Sequence, residues 1–166
     1  MGAFNKPSEI ANAVKKIFGT SEADSNLVEI LKKIVDNRNR AKEALVKNNY
    51  NLVAKYIPRL SILNAELADI MAEYQITVGE YNAGFENDKE HIYREQVASG
   101  SSANMAYQVS GRLTKAAEAE YISMKSELDS IKIIAESTRY LISDLKNVLE
   151  YNKSDIMKNN YSESVS

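Results

Sequence analysis

Between Leu60 and Phe85 the apolar positions advance by threes and fours, through Leu63, Leu67, Ile70, Tyr74, Val78 and Tyr81. That step is close to the 3.5-residue repeat of a coiled-coil seam and predicts one long helix with a single apolar face. A second run is more regular. Tyr121, Leu128, Ala135, Ile142 and Leu149 lie seven apart, and Met124, Ile131, Thr138 and Leu145 fill the complementary set. Met105, Val109, Leu113 and Ala116 extend this stripe upstream, with Gly111 a soft point in it. Between the two runs stands VASGSSAN, in which Ser101 or Ser102 is a natural cap for the returning helix. The pattern predicts an all-α chain: a long antiparallel helical hairpin over residues 58–152 with heptad seams and a turn near 98–103, plus shorter N-terminal helices. The seam is expected to hold Leu60, Leu67, Tyr74, Leu128, Ile131, Ile142, Leu145 and Leu149, within one chain or between copies.

The N-terminal segment, 1–57, is less regular. Ser8 can cap a short helix with Ile10, Val14, Ile17 and Phe18 on one face and Gly19 as its stop, and TSEADSN follows as a linker. Asp24 or Ser25 then caps a helix carrying Leu27, Val28, Leu31, Ile34 and Val35, which continues thinly through Ala41 and Leu45 towards Leu52, Val53 and Tyr56. Asn48 and Asn49 are a candidate break. Pro58 lacks an amide donor and disfavours helix at the residue before it, so a new helix is expected to start there. The last residues, 153–166, lose periodicity and are expected to form a flexible tail.

Charge changes the picture more than composition does. The net charge is −2, but residues 1–60 hold 11 Lys/Arg against 6 Asp/Glu, and residues 61–100 hold 2 against 8. A basic zone followed by an acidic one can separate a polyanion-binding face from a partner-facing one. With no cysteine in the chain, disulfides and thiolate zinc sites are excluded, and an intracellular setting is the simpler reading. No stretch has the length of apolar sequence that a membrane span requires, so no membrane partner is expected.

Candidate chemistry is sparse. His91 is the single histidine, with Asp88 and Glu95 at helical spacing from it, but a di-iron bundle would need a second histidine. With one histidine and no cysteine, Ser-His and Cys-His nucleophilic systems have very little to work with; carboxylate-only catalysis or a magnesium site stays open at Glu86, Asp88 and Glu90, where solvated surface charge is the default, and the scattered glycines form no phosphate loop. The chain is therefore expected to be no enzyme and to need no cofactor or metal. Tyrosine is abundant, with ten in 166 residues. Tyr74, Tyr81 and Tyr121 fall on the seams, where their hydroxyls must find partners. Tyr50, Tyr56, Tyr140 and Tyr151 instead lie among Lys47, Lys55, Arg59, Arg139, Lys146 and Lys153. Cations that track phosphates, interleaved with rings that stack on bases, are what single-stranded nucleic acid binding uses. The expected nucleic-acid-binding residues are Lys47, Lys55, Tyr56, Arg59, Lys146, Tyr151 and Lys153.

Two stretches carry a family resemblance. YIPRLSILNAELADIMAEYQITVGEYNAGFE resembles the first long helix of the UvsY-type recombination mediators of tailed phages, and RYLISDLKNVLEYNK resembles their closing segment. In the latter an aliphatic-Lys-Asn run, Leu145, Lys146 and Asn147, leads through Leu149 to Tyr151 and Lys153. The resemblance covers about a third of the chain. It implies a small helical homo-oligomer, in the cytoplasm of a host cell, that binds single-stranded DNA and helps load a recombinase onto strands coated by single-strand-binding protein. The alternative is a structural or interaction protein, such as a virion assembly component or an inhibitor of a host factor, acting through helix–helix contacts alone.

Overall fold

The computed structural model describes residues 25–163, which form four helices with no strand among them. Helix α1 is Ser25–Val46, α2 is Tyr50–Ala98, α3 is Ala103–Leu113 and α4 is Lys115–Glu163. The chain is all-α, as the 3.5-residue period requires. The helix expected between Ser8 and Gly19 lies outside the described residues, as does most of the linker after it.

The two corners are built alike. At the end of α1, Asn48 takes φ 53°, the Asn49 amide donates to the Ala44 carbonyl at 2.8 Å, and the Asn48 amide donates to Leu45 at 3.0 Å. This is a Schellman closure, in which a left-handed residue lets two terminal carbonyls be satisfied. Asn49 then opens α2, its Oδ1 accepting from the Leu52 amide at 3.1 Å. At the end of α2, Gly100 takes φ 92°, with Ser101 donating to Gln96 and Gly100 to Val97, each at 3.0 Å. Ser102 caps α3, its Oγ accepting from the Met105 amide. Asn-Asn and Gly-Ser-Ser thus each supply one residue that tolerates positive φ and one that caps.

Two expectations need correction. Pro58 does not begin a helix, and no helix boundary falls between residues 57 and 58; the proline is the ninth residue of α2. A proline inside a helix forfeits a hydrogen bond and costs about 3 kcal/mol. Val53 and Tyr56 before it and Leu60 after it belong to one core cluster, however, and burying such side chains yields about 1.5–3 kcal/mol each. Packing therefore carries the helix through the proline. The returning helix is interrupted at Thr114, not at Gly111. There the Thr114 amide and hydroxyl both donate to the Ser110 carbonyl, at 3.0 and 2.9 Å, a local competition that bends helices. Helix α4 runs on to Glu163, beyond the point where its periodicity fades.

The chain divides into two compact units, 1–70 with 130–166, and 71–129. In the first, α4 meets both α1 and α2. Its seam residues Ile131, Ala135, Thr138, Ile142 and Leu145 are buried, and so is a second stripe, Ser130, Ile134, Ser137 and Leu141. One core cluster joins Ala41 and Ala44 of α1, Val53, Tyr56 and Leu60 of α2, and Leu141, Ile142 and Leu145 of α4, with Leu149 packed against it. Leu67, of the expected seam, is also buried in this unit.

The second unit has a thinner core, made by Val78, Phe85, Ala106, Ser110, Thr114 and Leu128. Met105 and Leu113, expected on its seam, are 59% and 61% exposed, and the buried stripe lies one position later. That shift turns the face by about 100° and puts small side chains at the contact, where they set the distance between helices. Tyr74 donates to Glu127 Oε2 at 2.8 Å and Tyr81 to Glu120 Oε2 at 2.7 Å. As one partner advances by seven the other falls back by seven, an antiparallel pairing of these segments. Two of the three seam tyrosines, Tyr74 and Tyr81, therefore have the partners their hydroxyls needed.

Those bonds carry a pH signature. Burial first, and then the Glu127 carboxylate, hold the Tyr74 phenol well above the ordinary tyrosine value. At Tyr81 the hydrogen bond to Glu120 leads the upward shift. A phenol raised in the folded state contributes stability that is complete below its unfolded pKa of about 10 and lost as pH climbs through the folded value. Tyr74→Phe should cost about 1 kcal/mol near neutrality. It should also flatten the fall of melting temperature above about pH 10. Parallel melting curves for the two proteins would show that the bond contributes nothing.

Candidate nucleic-acid interface

On α4 the basic residues Lys132, Arg139, Lys146 and Lys153 are spaced by seven, which places them about 10.5 Å apart along one slowly drifting row. Arg139, Lys146 and Lys153 are exposed. Lys132 is half-buried and already engaged in an interaction. The described ion pairs are Lys33–Glu29, Lys47–Glu43, His91–Glu95 and Arg94–Glu90, none of which takes up Arg139, Lys146 or Lys153. About a third of a turn round the same helix run Ile133, Tyr140 and Tyr151, at successive steps of seven and eleven that return to nearly the same angle. Tyr140 is 55% and Tyr151 75% exposed, and the Arg139 guanidinium lies 5.8 Å from the Tyr140 ring centroid. Rings free on one side and cations beside them are the parts that base stacking and phosphate tracking use.

The α2 contribution differs in part from expectation. Lys55 and Arg59 are exposed, one turn apart. Each precedes a residue of the core cluster, Tyr56 and Leu60, while Lys146 follows a third, Leu145, so the three cations rim one core. Tyr56 itself is only 7% exposed within that cluster, with the Arg59 guanidinium 5.8 Å from its ring centroid. It is a core residue and has no free face for a base, which corrects its assignment to the interface. Lys47 is exposed beside the Asn48 corner and bonded to Glu43 at 2.6 Å, so part of its charge is already met.

The remaining candidates do not build a site. The stretch around His91 is continuous helix, and His91 sits 3.7 Å from Glu95 on an exposed face. No group of three potential metal ligands occurs among the described residues. In the second unit an open hollow of about 360 Å³ is lined by Glu86, Asn87, Lys89, Glu90, Tyr93 and Tyr107 among others. Lys89 lies over the Phe85 and Tyr107 rings there, at 5.5 and 5.8 Å. Its charge is thus already placed, among carboxylates that repel a polyanion. No described helix is long and apolar enough to cross a membrane.

Charge separates the units further: the first holds 16 Lys/Arg against 13 Asp/Glu and the second 5 against 10. The interface candidates all belong to the basic unit. One functional candidate escaped the reading of the sequence. Arg38 is 6% exposed and donates to the Ser137 and Thr138 hydroxyls. Its signal was present: Leu27, Leu31, Ile34, Arg38, Ala41 and Leu45 step by fours and threes, so Arg38 occupies a core position of its helix. No protein-family model, curated protein or solved structure matches this chain.

Proposed function

We propose that the chain is a non-enzymatic, phage-type accessory of DNA recombination that binds single-stranded DNA as a homo-oligomer and helps load a recombinase onto strands held by single-strand-binding protein. The observation that carries the DNA contact is the α4 row, with Arg139, Lys146 and Lys153 exposed beside the outward rings of Tyr140 and Tyr151. Lys55 and Arg59 add to it from α2. The recombinase and the coating protein enter through the resemblance to the mediators alone.

Anisotropy of a labelled oligothymidine tests the contact. Affinity should fall with salt by a log–log slope of about 0.7 per neutralised phosphate, and Lys146→Glu with Lys153→Glu should lower both affinity and slope at unchanged helix content. Tyr151→Ala should weaken binding with little change of slope, because stacking releases no counterions. No binding by a folded protein at moderate salt would overturn the proposal. The alternative, a structural or interaction protein working through helix contacts, draws on the second unit, where Ile76, Met105, Tyr107, Leu113 and Ile122 are exposed on three thinly packed, acidic helical segments. It predicts a protein partner and no salt-sensitive DNA binding.

A further inference from the structure

Arg38 is a buried cation whose described partners are neutral. Its Nη1 donates to Ser137 Oγ at 2.7 Å and to Thr138 Oγ1 at 2.8 Å. Both hydroxyls spend their own protons on the Ile134 carbonyl, at 3.0 and 2.7 Å, so their lone pairs are left for the guanidinium and its plane is held. None of the described ion pairs includes Arg38. A guanidinium has five donors. Nε and Nη2 have no described partner, yet among the described residues the one sealed, unpartnered side-chain polar atom is Asn64 Oδ1. With 6% of its surface exposed, Arg38 reaches solvent over a small area only, and Nε and Nη2 are the donors that Ser137 and Thr138 do not take up.

Lys42 stands one turn further along the same face of α1 and is half-buried. Burial pushes Arg38 down to about 10, and burial followed by the Arg38 charge pushes Lys42 down as well. Two cations thus share a poorly solvated corner in which their charges repel. Such an arrangement is costly unless a counter-charge enters it. A tetrahedral oxyanion matches the corner, because a guanidinium can offer it two parallel donors and an ammonium a third at a different angle.

We infer that Arg38 and Lys42 form an oxyanion subsite for one phosphate group, with Ser137 and Thr138 as the positioning hydroxyls. The phosphate comes either free or as part of a nucleic-acid backbone, and the site stands whether or not the α4 row binds DNA.

The test is thermal unfolding of the full chain in rising inorganic phosphate, against sodium chloride at matched ionic strength. Because a ligand that binds only the folded state stabilises it, the melting temperature should rise with phosphate beyond the chloride control. In Arg38→Met, which keeps the aliphatic stem, and in Lys42→Met, the apparent phosphate affinity should fall at least about tenfold. Lys42 is only half-buried, so its variant serves even if the Arg38 variant does not fold. Abasic and ordinary oligonucleotides distinguish the sources: tighter binding of the native chain than of the Lys42 variant to both assigns the backbone, and equal binding assigns free phosphate. A phosphate response shared equally by native and variant proteins, or absent in the native protein, overturns the subsite. So does a response to polyglutamate in place of phosphate, which would assign the corner to an acidic protein segment. Loss of oligonucleotide binding with the phosphate response kept would remove only the DNA reading.

Discussion

Leu145→Asp should leave the first unit without a cooperative melt, while Lys146→Ala beside it should melt like the native chain. Leu145 is 0% exposed at the meeting of α1, α2 and α4, and a carboxylate there would be buried among the apolar side chains of the core cluster. The loss combines that of a buried leucine, about 2–5 kcal/mol, with the penalty of an unpaired buried charge. Few single domains retain a folded majority after losing so much, since total stability is about 5–15 kcal/mol. Lys146 is exposed and outside the described ion pairs, so its removal should lie within about 0.5 kcal/mol. Denaturant titrations followed by circular dichroism decide the matter. Similar small shifts for both substitutions would mean that the α4 seam is wrongly placed.

Tyr56→Ala is the second large effect, and its direction separates two roles for that residue. A stacking tyrosine would lose DNA affinity at constant stability. A core tyrosine, 7% exposed among Val53, Leu60, Leu141 and Leu145, should instead cost about 3–5 kcal/mol, as large aromatic deletions do. The expected result is a melting midpoint lowered well beyond that of Tyr151→Ala, whose ring is 75% exposed and supports no core. Tyr56→Phe should recover nearly all the stability, because no hydrogen bond is described for the Tyr56 hydroxyl.

The two tyrosines show where a sequence speaks and where it is silent. Both lie in a basic neighbourhood, and composition cannot tell a ring facing the core from one facing water. Spacing can: Tyr56 falls four residues before Leu60 and so on its face, whereas Tyr151 falls two after Leu149 and so off it. The seams over Leu60–Phe85 and Tyr121–Leu149 were legible for this reason, every named position being at least half-buried. The Asn48-Asn49 and Gly100-Ser101-Ser102 corners were legible through local chemistry. The Thr114 break was not, since a threonine hydroxyl competing for one carbonyl leaves no periodic trace. Nor was the helical course through Pro58, because local rules weigh the missing amide and do not see the leucines across the core. Arg38 was hidden by the habit of reading arginine as surface; the stripe it interrupts places it inside.

The pairing of Arg38 with Thr138 has a consequence for the alignment of the helices. A heptad seam nearly repeats after seven residues, so its hydrophobic positions alone would allow α4 to slide by that amount with most apolar contacts restored. Sliding would bring Ile131 or Leu145 opposite the guanidinium in place of Thr138. Ser137 would give way to Ser130 or Asp144, so one acceptor would remain, but the second hydroxyl partner would be replaced by hydrocarbon, and a hydrogen bond to a charged group is worth about 1.5–3 kcal/mol. A polar layer in an otherwise repetitive core thus acts as an index mark: only one alignment sets two adjacent hydroxyls, Ser137 and Thr138, against the guanidinium.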